Sequence, residues 1–164
     1  MDKRIFYHNL LGYNVIFEEN IINQMLELCR EKMPLETGGI LVGEYLENGT
    51  KASITIISGP PNDSKHGRRT FYRGINDLSN WLKELWKTKR KFYLGEWHFH
   101  PNSWPNPSHT DINQMKQISI DVRYRCPEPI LFIIGGDPHG KWYASCHVFP
   151  RNKTLISLTD DSEL

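Results

Sequence analysis

The chain has 164 residues, 38% hydrophobic and 12% aromatic, enough apolar material for one core of ordinary domain size. Twenty basic residues against nineteen acidic ones leave a formal charge of +1, so neither nucleic acid nor an anionic membrane is expected as a partner. Three cysteines without a close pair (Cys29, Cys126, Cys146) and the lack of any apolar run of spanning length argue against a disulfide framework and a membrane helix; a soluble, cytoplasmic protein is expected.

Residues 4–17 hold short β-prone runs about a turn at Gly12. A helix is predicted from about Glu18, with Ile21, Ile22, Met25, Leu28 and Cys29 on one face and Pro34 as its stop. Strands follow over 39–45 and 52–58, joined through the hairpin dipeptide Asn48-Gly49. Residues 59–74 read as a loop rich in Pro, Gly and Arg. Residues 78–89 read as a second helix, with Leu78, Trp81, Leu82 and Leu85 sharing a face.

Residues 92–100 alternate as a strand, which sends Tyr93, Trp97 and Phe99 to one side and Glu96, His98 and His100 to the other. A proline-rich stretch, 101–107, leads into a third helix over about 109–121. Strands at 130–134 and 141–149 close the pattern around a turn at 135–140, and the tail after Asn152 is expected to add a short strand and then fray through 160–163. The order of elements implies a mixed sheet with helices against it, an α+β or mixed α/β fold. One domain is expected over 1–164, its core at about 14–150, with the N-terminal strands and acidic tail peripheral.

The segment richest in chemistry is His98-Phe99-His100-Pro101 followed by Ser108-His109-Thr110-Asp111. Imidazoles at i and i+2 of a strand leave the same face and can meet one cation without bending the backbone. Asp111, at a helix start one loop later, can turn back as a third ligand. Two nitrogens and one oxygen suit Zn²⁺ and leave a fourth tetrahedral position for water. Simpler readings coexist: a solvent-facing His-x-His, and Ser108 with Asp111 as a helix cap and acidic first turn. Glu36, beside the glycines of Leu35-Glu36-Thr37-Gly38-Gly39, is the acid/base candidate, or else a surface carboxylate near a turn. Glu96 shares the histidines' face, either steadying an imidazole or solvated. His8, His66, His109, His139 and His147 lack ligand spacing.

Glu36 with its following Thr-Gly-Gly-Ile-Leu-Val-Gly, then Gly95-Glu96-Trp97-His98-Phe99-His100-Pro101, ten residues, and Asp111 with Ser108 three before it, together resemble the JAMM motif of the JAB/MPN-domain metalloproteases. The similarity is clearest over residues 35–114. It implies an MPN fold with a curved mixed sheet and about three helices, and one Zn²⁺ per chain on His98, His100 and Asp111. It makes Glu36 the base and then the acid, and Ser108 a hydrogen-bond donor to the oxyanion. The implied activity is isopeptide or peptide cleavage after the C-terminal tail of a ubiquitin-like protein. The chain is most similar to small bacterial members that work beside E1/E2-like conjugating enzymes in antiphage systems, where the conjugated protein can be a CD-NTase. A sulfur-carrier tail as substrate, or a scaffold that only binds partners, are the other readings; the latter usually lacks part of the motif. For a bound tail, Arg68, Arg69 and Arg73 of the 59–74 loop and Trp104 are the candidate contacts, against a solvated loop and packing on the third helix.

Overall fold

β-Branched and aromatic runs pair into one mixed sheet, and three helices cover its two faces. The computed structural model describes residues 2–163; the terminal Met1 and Leu164 of the expected domain lie outside the described residues. In chain order the elements are β1 (Lys3–His8), β2 (Tyr13–Glu18), α1 (Glu19–Lys32), β3 (Thr37–Leu46), β4 (Lys51–Ile57), β5 (Lys65–His66), β6 (Phe71–Tyr72) and α2 (Leu78–Lys89). Then come β7 (Phe92–Pro101), α3 (His109–Ile120), β8 (Ile130–Gly136), β9 (Trp142–Val148), β10 (Ile156–Ser157) and β11 (Thr159–Asp160). Nine strands join in the order β10-β9-β8-β7-β3-β4-β2-β1-β11, while β5 and β6 form a separate hairpin. The β2–β4 and β7–β8 pairs are parallel and the rest antiparallel.

Each face of the sheet has its own core. Ile21, Ile22, Met25, Leu26 and Cys29 of α1 pack on Phe17, Leu41, Ile54, Trp97 and Phe132. On the opposite face Leu85 of α2 and Met115 and Ile118 of α3 meet Ile40, Val42, Leu131 and Ile133. Full burial of each such side chain contributes about 1.5–3 kcal/mol. All three cysteines are buried free thiols. Among the described residues no helix is long and apolar enough to cross a membrane.

The structure departs from the sequence pattern at four places. Asn48-Gly49 does sit in the β3–β4 turn, but the turn also takes in Glu47, and all three residues have positive φ. Tyr93 was expected beside Trp97; it faces the Glu96 side instead. The register runs Leu41↔Gly95 and then Val42↔Tyr93, so Leu94 is an extra residue, and a bulge reverses the alternation before it. Gly95 makes this possible, since a Cβ there would lie 1.9 Å from the Ile130 carbonyl oxygen of the neighbouring strand.

The 59–74 segment, expected as a plain loop, carries the β5–β6 hairpin. The N-terminal strands are not peripheral, and the short strand expected after Asn152 is present as β10 and β11, the latter drawing Asp160 of the acidic tail into the sheet. β10 pairs with β9 and β11 with β1, so residues 156–160 bridge the two ends of the curved sheet, helped by the Leu158 amide on the Cys146 carbonyl at 2.9 Å. Phe6 is buried against Phe17 and Phe132, and Arg4 holds the buried Asp160 carboxylate. Curvature brings two edges within reach of one short segment, and their free backbone groups draw it in.

Candidate metal centre

Strand register builds the site. Side chains of directly paired residues share a face, and Gly38 lies opposite His98 and Ile40 opposite Glu96. Continuing the pairing by one residue sets Glu36, just before β3, opposite His100. Gly38 lets the strands close up here: a Cβ would stand 3.0 Å from the His98 ring and 2.8 Å from Phe71. The same face is covered by α3, which starts at Ser108. The Ser108 hydroxyl accepts the Asp111 amide at 3.1 Å and the Asp111 carboxylate accepts the Ser108 amide at 2.7 Å, a reciprocal cap that aims the carboxylate at β7.

Asp111 thereby meets both imidazoles. Its Oδ1 lies 2.9 Å from His98 Nδ1 and its Oδ2 3.3 Å from His100 Nε2. The three side chains are at most 10% exposed, and their donor atoms all fall within 4.8 Å of one another. His98 Nε2 is buried without a hydrogen-bond partner among the described residues. A buried N₂O donor set with an imidazole edge left unsatisfied fits a small divalent cation, and zinc by ligand type.

Electrostatics follow from crowding. Burial opposes ionisation of Asp111, but hydrogen bonds from His100 and His98 and the Ser108 amide outweigh it and hold the carboxyl well below the usual range. Burial likewise opposes charge on His100, and its Asp111 hydrogen bond with the charges of Asp111 and Glu36 overcomes this and raises its pKa. Glu36 is half-buried, and desolvation chiefly raises its pKa; His100 and His98 oppose the rise and Asp111 adds to it. A carboxyl shifted toward neutrality suits proton transfer.

The remaining candidates scatter. Arg68 and Arg69 are exposed in the turn between β5 and β6. Arg73 is buried at 6% exposure and gives a two-pronged ion pair to Glu96, which is wholly buried. That pairing corrects two expectations: among the described residues Glu96 bonds Arg73 and Tyr93 and no imidazole, and the Arg73 guanidinium is engaged by Glu96, Gly74 and Tyr124 and not offered to a substrate. Trp104 is exposed and leans on Tyr143, ring centroids 4.5 Å apart, at the rim of a cavity of about 240 Å³ that Asn102, Ser103 and Asp137 also line.

His66, without ligand spacing in the sequence, and Phe71 both reach the site. The Glu36 amide donates to the Gly67 carbonyl at 2.8 Å, and His66 Nδ1 lies 2.9 Å from the Glu36 carbonyl. The Phe71 ring stands edge-on to His98 at 5.6 Å. No local pattern announces these contacts, because they depend on where the hairpin lands.

Comparisons with known proteins agree with this architecture. The model of prokaryotic homologs of the JAB domain matches residues 18–146. A CD-NTase/cGAS isopeptidase of Enterobacter hormaechei subsp. hoffmannii is 40% identical over 148 residues, covering 90% of this chain and 82% of that protein. Another CD-NTase/cGAS isopeptidase, from Escherichia coli, is 30% identical over 139 residues, covering 83% and 84%. In fold, the chain resembles a Desulfitobacterium hafniense protein solved in solution, with a TM-score of 0.59 at 18% identity over 86% of this chain and 87% of that one. With its motif residues gathered on one sheet face and a family match over most of its length, the chain belongs to the prokaryotic JAB-domain family.

Proposed function

We propose that this protein is a zinc-dependent isopeptidase that releases a conjugated protein by cutting the bond after its C-terminal tail, in the bacterial cytoplasm. The observation that carries the reading is the convergence of His98, His100 and Asp111 with the half-buried Glu36 beside them. The kinship with CD-NTase/cGAS isopeptidases supports a CD-NTase, or a ubiquitin-like protein, as the tail donor, and an E1/E2-like enzyme as the source of the conjugate.

His98, His100 and Asp111 would hold the ion. When bound, zinc would supply Lewis acidity to the scissile carbonyl and to a water beside it. Glu36 takes a proton from that water and delivers it to the departing lysine amine, so a single carboxyl of raised pKa serves both halves of the reaction. The Ser108 oxygen accepts the Asp111 amide, which leaves its own O–H to donate to the carbonyl oxygen as charge builds there. Arg68 and Arg69, exposed at the tip of the β5–β6 hairpin, and the exposed Trp104 are the candidate contacts for an extended tail.

The test uses the zinc-loaded protein and a CD-NTase fused through its C-terminus to a small reporter, with a ubiquitin-like fusion in parallel. Cleavage directly after the donor's last residue is expected, lost with a chelator and restored by Zn²⁺. Failure to cut either fusion, with one zinc bound per chain, would overturn the reading.

A further inference from the structure

The 59–74 segment is fastened over the site by a buried polar cluster that the proposed chemistry does not use. Arg73 Nε donates to Glu96 Oε2 at 2.6 Å and Nη2 to Glu96 Oε1 at 2.9 Å. Nη2 also reaches the Tyr124 hydroxyl at 3.2 Å, Nη1 donates to the Gly74 carbonyl at 2.8 Å, and the Tyr93 hydroxyl donates to Glu96 Oε1 at 2.8 Å. Both charged side chains are essentially without solvent, at 4% and 0% exposure. Burial alone would lower the Arg73 pKa, and the Glu96 carboxylate more than reverses that, so the guanidinium stays charged.

Burying an ion pair is rarely the most stable solution for a core, because desolvation offsets much of the attraction; such pairs are better explained by what they hold in register. Here the three segments held are informative. Glu96 is two residues before His98 on β7. Tyr124 lies just beyond α3, the helix that carries Asp111. Arg73 directly follows the β5–β6 hairpin, whose Gly67 carbonyl and His66 ring take both backbone polar groups of Glu36 and whose Phe71 abuts His98. The base of the segment is tied independently: the Asp63 carboxylate accepts the Ile75 and Asn76 amides, and the Ser64 hydroxyl the Gly74 amide.

We propose that Arg73 and Glu96 are positioning residues, a buried latch that locks the 65–72 hairpin to the two metal-ligand elements and thereby fixes the backbone of Glu36. The bulge at Leu94 belongs to the same device, because only the reversed alternation brings the Tyr93 hydroxyl to Glu96. The latch rests on the isopeptidase reading for its catalytic consequence. Its mechanical claim stands apart from that reading.

Two variants and two readouts separate these claims. Arg73→Met removes the charge and the fork; Arg73→Lys keeps the charge but cannot make the paired contact. Both are expected to bind one zinc per chain, since the ligands sit on β7 and α3. In Arg73→Met the amides of Glu36 and Gly67 should exchange hydrogen at least about tenfold faster, with those of β8 unchanged. On the reporter fusion its kcat should fall by about 10²-fold, the scale set by misplacing a catalytic group by about 1 Å, and Arg73→Lys should recover part of it. Normal kcat in a thermally weakened Arg73→Met, or unaltered exchange at Glu36, overturns the proposal. If the wild type cuts no fusion, the isopeptidase reading fails while hydrogen exchange still decides the latch. Should Arg73→Met fail to fold, the same exchange and kcat measurements on Arg73→Lys decide it.

Discussion

Asp111 carries two loads on one carboxylate: it caps its own helix and closes the donor set with His98 and His100. Glu36 stands outside that set, and the division predicts opposite outcomes for two substitutions. Glu36→Ala should retain one zinc per chain while turnover drops by about 10²–10⁴-fold, the usual worth of a positioned acid/base. His98→Ala should lose the metal and the turnover together, because two remaining donors make a poor zinc site. Elemental analysis beside a cleavage assay reads both. Zinc lost from the first variant, or normal zinc in the second, would reverse the roles.

Among the elements, α3 shows how a local signal and a chemical one occupy the same residues. Ser108 satisfies the Asp111 amide, and its removal leaves a helix-end donor unpaired. Ser108→Ala should therefore cost about 1 kcal/mol in urea unfolding, the ordinary worth of a cap. If the hydroxyl also donates to the developing oxyanion, kcat should fall by about 10²-fold in the same protein. A stability loss with unchanged kcat would leave Ser108 as a cap alone. The strand β7 combines roles as well: one face fills the α1 core with Trp97 and Phe99, and the other presents Glu96, His98 and His100.

At the scale of the whole molecule, closure of the sheet ties the termini to the site. His147, on β9, sits between the Ser157 hydroxyl of β10 at 3.0 Å and the Ser145 hydroxyl at 2.9 Å, and Ser145 in turn holds the Pro105 carbonyl of the loop between the ligands. Burial pushes the His147 pKa down to about 4. In the unfolded chain it would titrate near the ordinary ~6.5, so between these values only the unfolded state takes up the proton. Stability attributable to this residue is thus full above about pH 6.5 and declines as pH falls toward 4, by about 3 kcal/mol in all. Urea unfolding across that window should show the decline in the wild type and a flatter course in His147→Gln. Parallel slopes for the two proteins would reject it.

Much of the site was legible from residue order alone, because its rules are short-range. Two imidazoles two apart on a strand share a face, and a serine three before an aspartate caps a helix. Both facts need only the local backbone, so His98, His100 and Asp111 could be grouped before any contact was known. The helices at 19–32, 78–89 and 109–120 were readable for the same reason, each announced by apolar spacing or by a cap. What needed the tertiary structure was every choice between neighbours. A single extra residue at Leu94 turns Tyr93 around, two-residue strands at 65–66 and 71–72 have no period to read, and Arg73 finds Glu96 only because the hairpin folds over β7. A short strand after Asn152 can be anticipated from the residues, but that it splits into β10 and β11 and joins both sheet edges is decided by curvature. Local sequence sets which way a side chain points along its own strand or helix; which partner it meets is decided by the packing of segments far apart in the chain.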